Sequence, residues 1–262
     1  VVILQNPLFQ WVRDHRVHHK YTETDADPHN SKRGFFFAHV GWLMQQKHPE
    51  VIRRGNMINM NDILADPVVN FHQKYFWPMK IWWCFTFPVL IPSVLWGESW
   101  IYSLFGMAFM RYCYSLNFTW LVNSAAHIWG NKPYDKKIDP VENRLVALVS
   151  MGEGWHNYHH CFPWDYRAEE LAGFFGYSFN ITTLVIDMFG LIGWAYDRKV
   201  PDSELIRKIA EKRGDGTYSK LNCKNNPKHS EDHTIVSALE IWDTERDVKS
   251  DTLSPPDNLK KE

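Results

Sequence analysis

Two copies of one short pattern hold most of the chemistry available to this chain: His15-Arg16-Val17-His18-His19 near the start and His156-Asn157-Tyr158-His159-His160 beyond the middle. Each reads H-x-x-H-H. On a helix, positions i, i+3 and i+4 share a face and stand about 5–6 Å apart, so each pattern would aim three imidazoles at one point. Neutral imidazole is a common ligand for iron, zinc and copper. Six of the 13 histidines fall in the two triplets, and 13 residues scattered along 262 positions would seldom form such a triplet twice. Neither triplet contains the Glu of H-E-x-x-H, the general base of zinc metalloproteases, so a protease reading fails on its own motif. His29, His39, His48, His72, His229 and His233 have no partner at ligand spacing and read as ordinary core or solvated histidines.

The triplets need helices to present them. A helix over Trp11 to Lys20 carries the first, and the turn formers Thr22 to Asn30 end it. Phe35 to Met44 reads as a core or interfacial helix, and Asp62 to Phe71 as a short amphipathic helix interrupted at Pro67. Ile81 to Trp96 carries no charge. Extended back to Trp77 it reaches the ~20 residues that a bilayer core requires, with Pro88 and Pro92 as tolerated kinks. Trp100 to Val122 is a second apolar stretch containing Arg111, and an ionisable residue at that depth should face protein. Only Gly97-Glu98-Ser99 separates the two, which makes them an antiparallel hairpin. Lys74 and Lys80 flank one outer end and Lys132, Lys136 and Lys137 the other, so the positive-inside rule puts both ends and both triplets in the cytoplasm. A helix pair buried in a soluble core is the competing reading.

Residues 139–175 return to soluble character. Phe174 to Tyr196 is strongly apolar and reads either as a third span or as a helix packed on a catalytic domain. Glu204 to Arg213 reads as a charged amphipathic helix, and the last ~30 residues have a disordered composition. A net charge of -1 gives nucleic acid no electrostatic purchase. The four cysteines show no C-x-x-C pairing and read as reduced thiols. A mean hydropathy of -0.39 averages an apolar middle with a polar end. The chain opens at Val1 without a Met, and reads as beginning mid-protein.

Three stretches, Trp11-Val12-Arg13-Asp14-His15-Arg16-Val17-His18-His19-Lys20, Asn123-Ser124-Ala125-Ala126-His127 and Gly154-Trp155-His156-Asn157-Tyr158-His159-His160, resemble the membrane acyl-CoA desaturases of the stearoyl-CoA type, the insect members most of all. The resemblance covers roughly residues 1–215. It implies an all-α, multi-pass protein of the endoplasmic reticulum membrane, with four transmembrane helices in the full protein, two of them here, and a cytosolic, helical, His-rich diiron domain. It implies four parts: residues 1–76, the first part of the catalytic domain; 77–122, the transmembrane hairpin; 123–215, its second part; and 216–262, a polar tail. The metal ligands it implies are His15, His18, His19, His127, His156, His159 and His160 on two iron ions, with Asn123 reaching a metal through water. A further H-x-x-x-x-H cluster of the family lies upstream of the first triplet and is absent from this sequence, so the polypeptide as written is expected to be an inactive fragment.

The implied reaction is the O2-dependent insertion of a cis double bond into a saturated fatty acyl-CoA, with electrons from cytochrome b5 and its reductase. Asn6, Arg13, Asp14, Lys47 and Trp120 match positions that contact the CoA head group, although a neighbouring basic position is Gln46 here. Gln5, Trp11 and Thr119 match residues at the bend of the acyl tunnel. Breaking an unactivated methylene C–H bond needs an oxidant that iron and O2 generate and no side chain supplies. A fatty acyl hydroxylase with the same kind of site and a catalytically inactive lipid-binding relative are the competing readings. Asp139-Pro140-Val141-Glu142 resembles the signature of insect delta-9 enzymes more than the delta-11 variants, which favours delta-9, although Asp-Pro in a polar loop is also an ordinary turn.

Overall fold

The computed structural model describes residues 5–170, 180–218 and 234–236. The chain divides into two units. The first comprises Val1–Asn131 and Ile138–His156, the second Lys132–Lys137 and Asn157–Glu262.

In the first unit, α1 (Leu8–Tyr21) starts at Pro7, whose carbonyl accepts from the Trp11 amide, and closes on His18, His19 and Lys20, whose type suits the negative end of the helix dipole. Val17 on its inner face is fully buried, a side chain contributing roughly 1.5–3 kcal/mol. The aromatic run after it makes only α2 (Phe35–His39) and one tightened turn at Gly41–Leu43, rather than a single helix to Met44. The reason is that Val40 leaves the helical region between them, at φ -136°. Three short helices follow: α3 (Pro49–Gly55), α4 (Asn61–Ala65) and α5 (Pro67–Lys74). The break expected at Pro67 is present. Asp66 caps α5 by accepting from the Val68 and Val69 amides, an interaction worth ~1 kcal/mol.

Helix α6 (Phe76–Leu95) is, among the described residues, the one helix long and apolar enough to cross a membrane. It passes through π-type turns at Ile81–Thr86. Gly97, at φ 70°, turns the chain back into α7, the helical residues 100–123. The two helices meet through small buried residues, Cys84, Ser103 and Ala108, and through the Phe85 and Tyr112 rings at 5.0 Å. Arg111 faces the partner helix as expected. Pro88 has no N–H for the carbonyl of Cys84 four residues back, and Arg111 Nη2 donates to that carbonyl at 2.5 Å while its Nε donates to Met107 O. Trp77, Val94, Leu95, Trp96, Trp100 and Phe105 are exposed, the apolar surface that lipid would cover.

Ser124 interrupts the helix after α7, and α8 (Ala125–Ile128) follows. Ala125 and Ala126 form a core with Val146 of α9 (Arg144–Val149), against Leu121 and Val122. Helix α10 (His156–Cys161) begins at the end of the first unit.

In the second unit, Asn157 fastens α10 to residues 132–137: its side chain accepts from the Tyr134 and Asp135 amides and donates to Asp135 O. Tyr158 donates to Asp165, which Arg167 holds at 2.7 Å. Helix α11 (Ile181–Leu191) occupies part of the apolar stretch expected from Phe174, whose first residues lie outside the described ones. β1 (Lys199–Pro201) runs parallel to β2 (Thr234–Val236), and the expected helix before residue 215 is α12 (Ser203–Arg213). The polar tail beyond residue 218, Cys223, His229 and His233 otherwise lie outside the described residues.

Gly154 is fixed by space. A Cβ there would collide with the backbone of Asn143 and Ala147, two residues before His156. Gly154→Ala is therefore expected to lower stability by ~1–3 kcal/mol, read as a fall in melting temperature. An unchanged melting curve would contradict this packing.

Candidate metal centre

The first triplet does not converge on one point. His15 and His19 face each other with Nε2 atoms 3.1 Å apart. His18 stands about 100° round the helix from His19 and turns instead toward His127 and His156, ring centroids 5.0 and 6.4 Å away. The triplet thus feeds two directions. Ligand nitrogens of His18, His127 and His156 lie within 4.8 Å of one another, and all three residues are buried. The Nε2 atoms of His127 and His156 are 3.0 Å apart.

Different elements deliver these three. His18 comes from α1 and His127 from the single turn of α8. Asn123 and His127, four residues apart, do not lie on one continuous helix. Ser124 breaks the helix at φ -110°, ψ -74°, its hydroxyl bonding Trp120 O, and the His127 amide bonds Ser124 O. His156 opens α10. The Asp139-Pro140-Val141-Glu142 stretch braces both approaches. The Val141 amide bonds Ala126 O at 2.7 Å, the Asn143 amide bonds Gly154 O, and Glu142 bridges to Asn131 and Trp155.

His159 and His160 lie on α10 in the second unit. Their rings are 5.8 Å apart. Tyr158, Cys161 and Phe162 are buried around them and fix the helix.

Two carboxylates that sequence reasoning passed over as turn formers lie against the first unit's histidines. Asp27 Oδ1 is 2.9 Å from His18 Nδ1, and Glu23 Oε1 is 2.9 Å from His127 Nδ1. Burial by itself pushes the Glu23 carboxyl up. The hydrogen bond and charge of His127 and the Ser31 hydroxyl outweigh it and leave its pKa below the ordinary value. His29 is buried with its ring 4.3 Å from His18, and burial first, then His18, holds its pKa well below the usual value. His39, His48 and His72 have structural partners outside the two triplets. His48 caps α3, His72 Nδ1 accepts from the Leu8 amide, and His39 sits between Ser124 and Asn117.

Among the expected substrate residues, Arg13 and Lys47 both pair with Asp14. Gln5, Asn6 and Trp120 line a mainly apolar cavity of about 170 Å³ with Leu43, Tyr112 and Leu116. Thr119 donates to Ser115 O on α7. Trp11 is not a buried residue. It is 48% exposed and stacks on His15 with ring centroids 4.8 Å apart, because its side of α1 is uncovered.

The profile of the fatty acid desaturase family matches residues 1–171. The chain is 53% identical over 214 residues to an acyl-CoA Delta-9 desaturase of Acheta domesticus, an alignment covering 82% of this chain and 59% of that protein. It is 53% identical over 246 residues to an acyl-CoA Delta(11) desaturase of Trichoplusia ni, covering 94% and 65%, and 50% identical over 234 residues to an acyl-CoA Delta12-desaturase of Acheta domesticus, covering 88% and 65%. The chain therefore spans 59–65% of the length of these relatives.

Removal from water lowers His159 from 6.5 to about 4, and lowers His29 as well. A histidine whose folded pKa is depressed binds fewer protons than the unfolded chain, so folding stability rises with pH across the interval between the two values. The metal-free protein is expected to lose stability as pH falls from about 6.5 toward about 4. Denaturant unfolding across that interval checks this, and a flat profile would contradict it.

Proposed function

The chain belongs to the fatty acid desaturase family, and from that premise we propose that it is the greater part of an acyl-CoA desaturase, introducing a cis double bond into a saturated fatty acyl-CoA with O2 at a diiron centre. The observation that carries this reading is the buried convergence of His18, His127 and His156. A core keeps three neighbouring imidazoles out of water only with partners for their nitrogens, and an all-nitrogen donor set suits iron outside the carboxylate-bridged class. Its ligands would be His15, His18, His19, His127, His156, His159 and His160, with Asn123 through water. Bound iron would supply, with O2, the oxidant that an unactivated C–H bond requires.

The protein's own groups bind and orient the substrate. Arg13 and Lys47 offer charge to the phosphates of CoA, and in the free protein Asp14 holds both in place. Asn6 and Trp120 border the apolar cavity where the thioester end of the acyl chain would enter, with Gln5, Thr119 and Trp11 as the further residues of the tunnel. Water excluded from that path leaves the acyl methylenes as the reactive partner.

The hairpin α6–α7 would span the endoplasmic reticulum membrane within a multi-pass protein of four spans. Residues 1–76 and 123–215 would form the cytosolic catalytic domain, with 216–262 as a tail. Cytochrome b5 and its reductase are the proposed electron donors. Relatives named as Delta-9, Delta(11) and Delta12 enzymes stand at similar identity, 50–53%, so resemblance in bulk does not select the position. The Asp139-Pro140-Val141-Glu142 stretch supports delta-9.

Expression of the full-length gene product in desaturase-deficient yeast, with double bonds located by dimethyl disulfide derivatisation, tests this. Monounsaturated acyl chains with a predominant delta-9 adduct are expected; a delta-11 adduct would reject the position, and hydroxylated chains without alkene would reject desaturation. His159→Ala should reduce product to background while membrane insertion is unchanged, since it deletes a ligand from α10 and no packing residue of a span. Retained activity in microsomes would remove His159 from the ligand set.

A further inference from the structure

We propose that Asp27 and Glu23 are positioning residues of the metal centre, each accepting the Nδ1–H of one histidine and so committing Nε2 of His18 and of His127 to the metal. This rests on the diiron reading above and adds to it the groups that set the geometry of two ligands.

Both carboxylates lie in the interior, with side chains 0% exposed for Asp27 and 1% for Glu23. A buried carboxylate is costly unless its oxygens are met, and among the described residues neither is met by a lysine or arginine. Asp27 Oδ1 receives the His29 amide at 3.1 Å and faces His18 Nδ1 at 2.9 Å, while Oδ2 receives the Glu23 amide at 2.9 Å. Glu23 Oε1 receives the Ser31 hydroxyl at 2.8 Å and faces His127 Nδ1 at 2.9 Å, while Oε2 receives the Lys32 amide. Every other partner is a fixed donor from the loop. In each case the one partner drawn from outside that loop is an imidazole.

The tautomers follow. An oxygen that only accepts requires the proton on Nδ1, which leaves Nε2 of each ring with its lone pair outward, the form a metal takes. His127 and His156 have their Nε2 atoms 3.0 Å apart, close enough for both to reach one metal ion. An all-histidine set is neutral. Two carboxylates one hydrogen bond away supply negative charge to the cations and raise the basicity of the two rings.

Backbone strain points the same way. Glu23 has φ 60°, in the left-handed region, where a non-glycine residue costs of order 1–3 kcal/mol unless its surroundings hold it. A turn whose only task was to end α1 would place Gly or Asn there. Glu at that position is explained by what its side chain reaches: His127, 104 residues away in sequence.

The test uses the full-length protein in nanodiscs, with Asp27→Asn, Glu23→Gln and, as control, Ser31→Ala, which loosens Glu23 without touching a histidine. Iron content and resistance to chelator are measured on the monodisperse fraction, so misfolded material does not enter, and Mössbauer spectra report the ligand field. Each amide variant is expected to bind iron about 10–100-fold more weakly and to shift the spectrum, with Ser31→Ala behaving as wild type. Amide variants with wild-type affinity and unchanged spectra would overturn the proposal. Equal iron loss in Ser31→Ala would overturn it too, by making the network a structural brace. Wild-type protein that binds no iron would instead overturn the diiron reading on which the proposal rests.

Discussion

The protein's central constraint is the cost of keeping imidazoles together out of water. A buried histidine has two ring nitrogens to satisfy, and His18, His127 and His156 place theirs within a few ångströms of one another. The arrangement holds because the Nδ1 sides of His18 and His127 are taken by Asp27 and Glu23, which are themselves saturated by loop amides and a hydroxyl. The consequence runs through the first unit: the loop after α1 must be tight, α7 must stop at Ser124 so that α8 can present His127, and the 139–142 stretch must tie Ala126 and Gly154 together. Small residues such as Gly154 are fixed by that closeness, not by turn chemistry alone.

What the sequence made legible is local. The H-x-x-H-H spacing marks α1 and α10 because ligand spacing and helix period coincide. The apolar run marks α6, Pro67 the break between α4 and α5, and the depth of Arg111 its inward direction, toward the Cys84 carbonyl to which it donates. What stayed hidden is tertiary. Three residues at i, i+3 and i+4 look like one cluster in a pattern, yet a helix spreads i+3 and i+4 about 100° apart, enough to send His18 to one group and His15 with His19 to another. Asn123 and His127 carry helical spacing, but the helix ends at Asn123 and a separate turn, Ala125–Ile128, carries His127. Glu23 and Asp27 sit in a run of Thr, Asp and Pro that any reader assigns to a turn; the run is a turn, and its carboxylates point inward. A signal was present, since histidines at ligand spacing would call for acceptors on their other ring nitrogens, and the nearest acidic residues are the natural place to look.

The substrate side follows the same division between charge and apolar surface. Arg13, Asp14 and Lys47 gather on the α1 side, two cations sharing one carboxylate, while Gln5, Asn6 and Trp120 border an apolar cavity beside Leu116 and Tyr112 of α7. Helix α7 connects the two halves of the problem, lining that cavity and ending at the break from which His127 is displayed.

The central claim is that the buried histidines hold iron. X-ray absorption at the iron edge, recorded on the purified full-length protein with its metal content, tests it most directly. The account predicts two irons per polypeptide with a first shell dominated by imidazole nitrogen, visible as the multiple scattering of histidine rings. A zinc-loaded protein, or an iron shell built mainly of carboxylate oxygen, would contradict it.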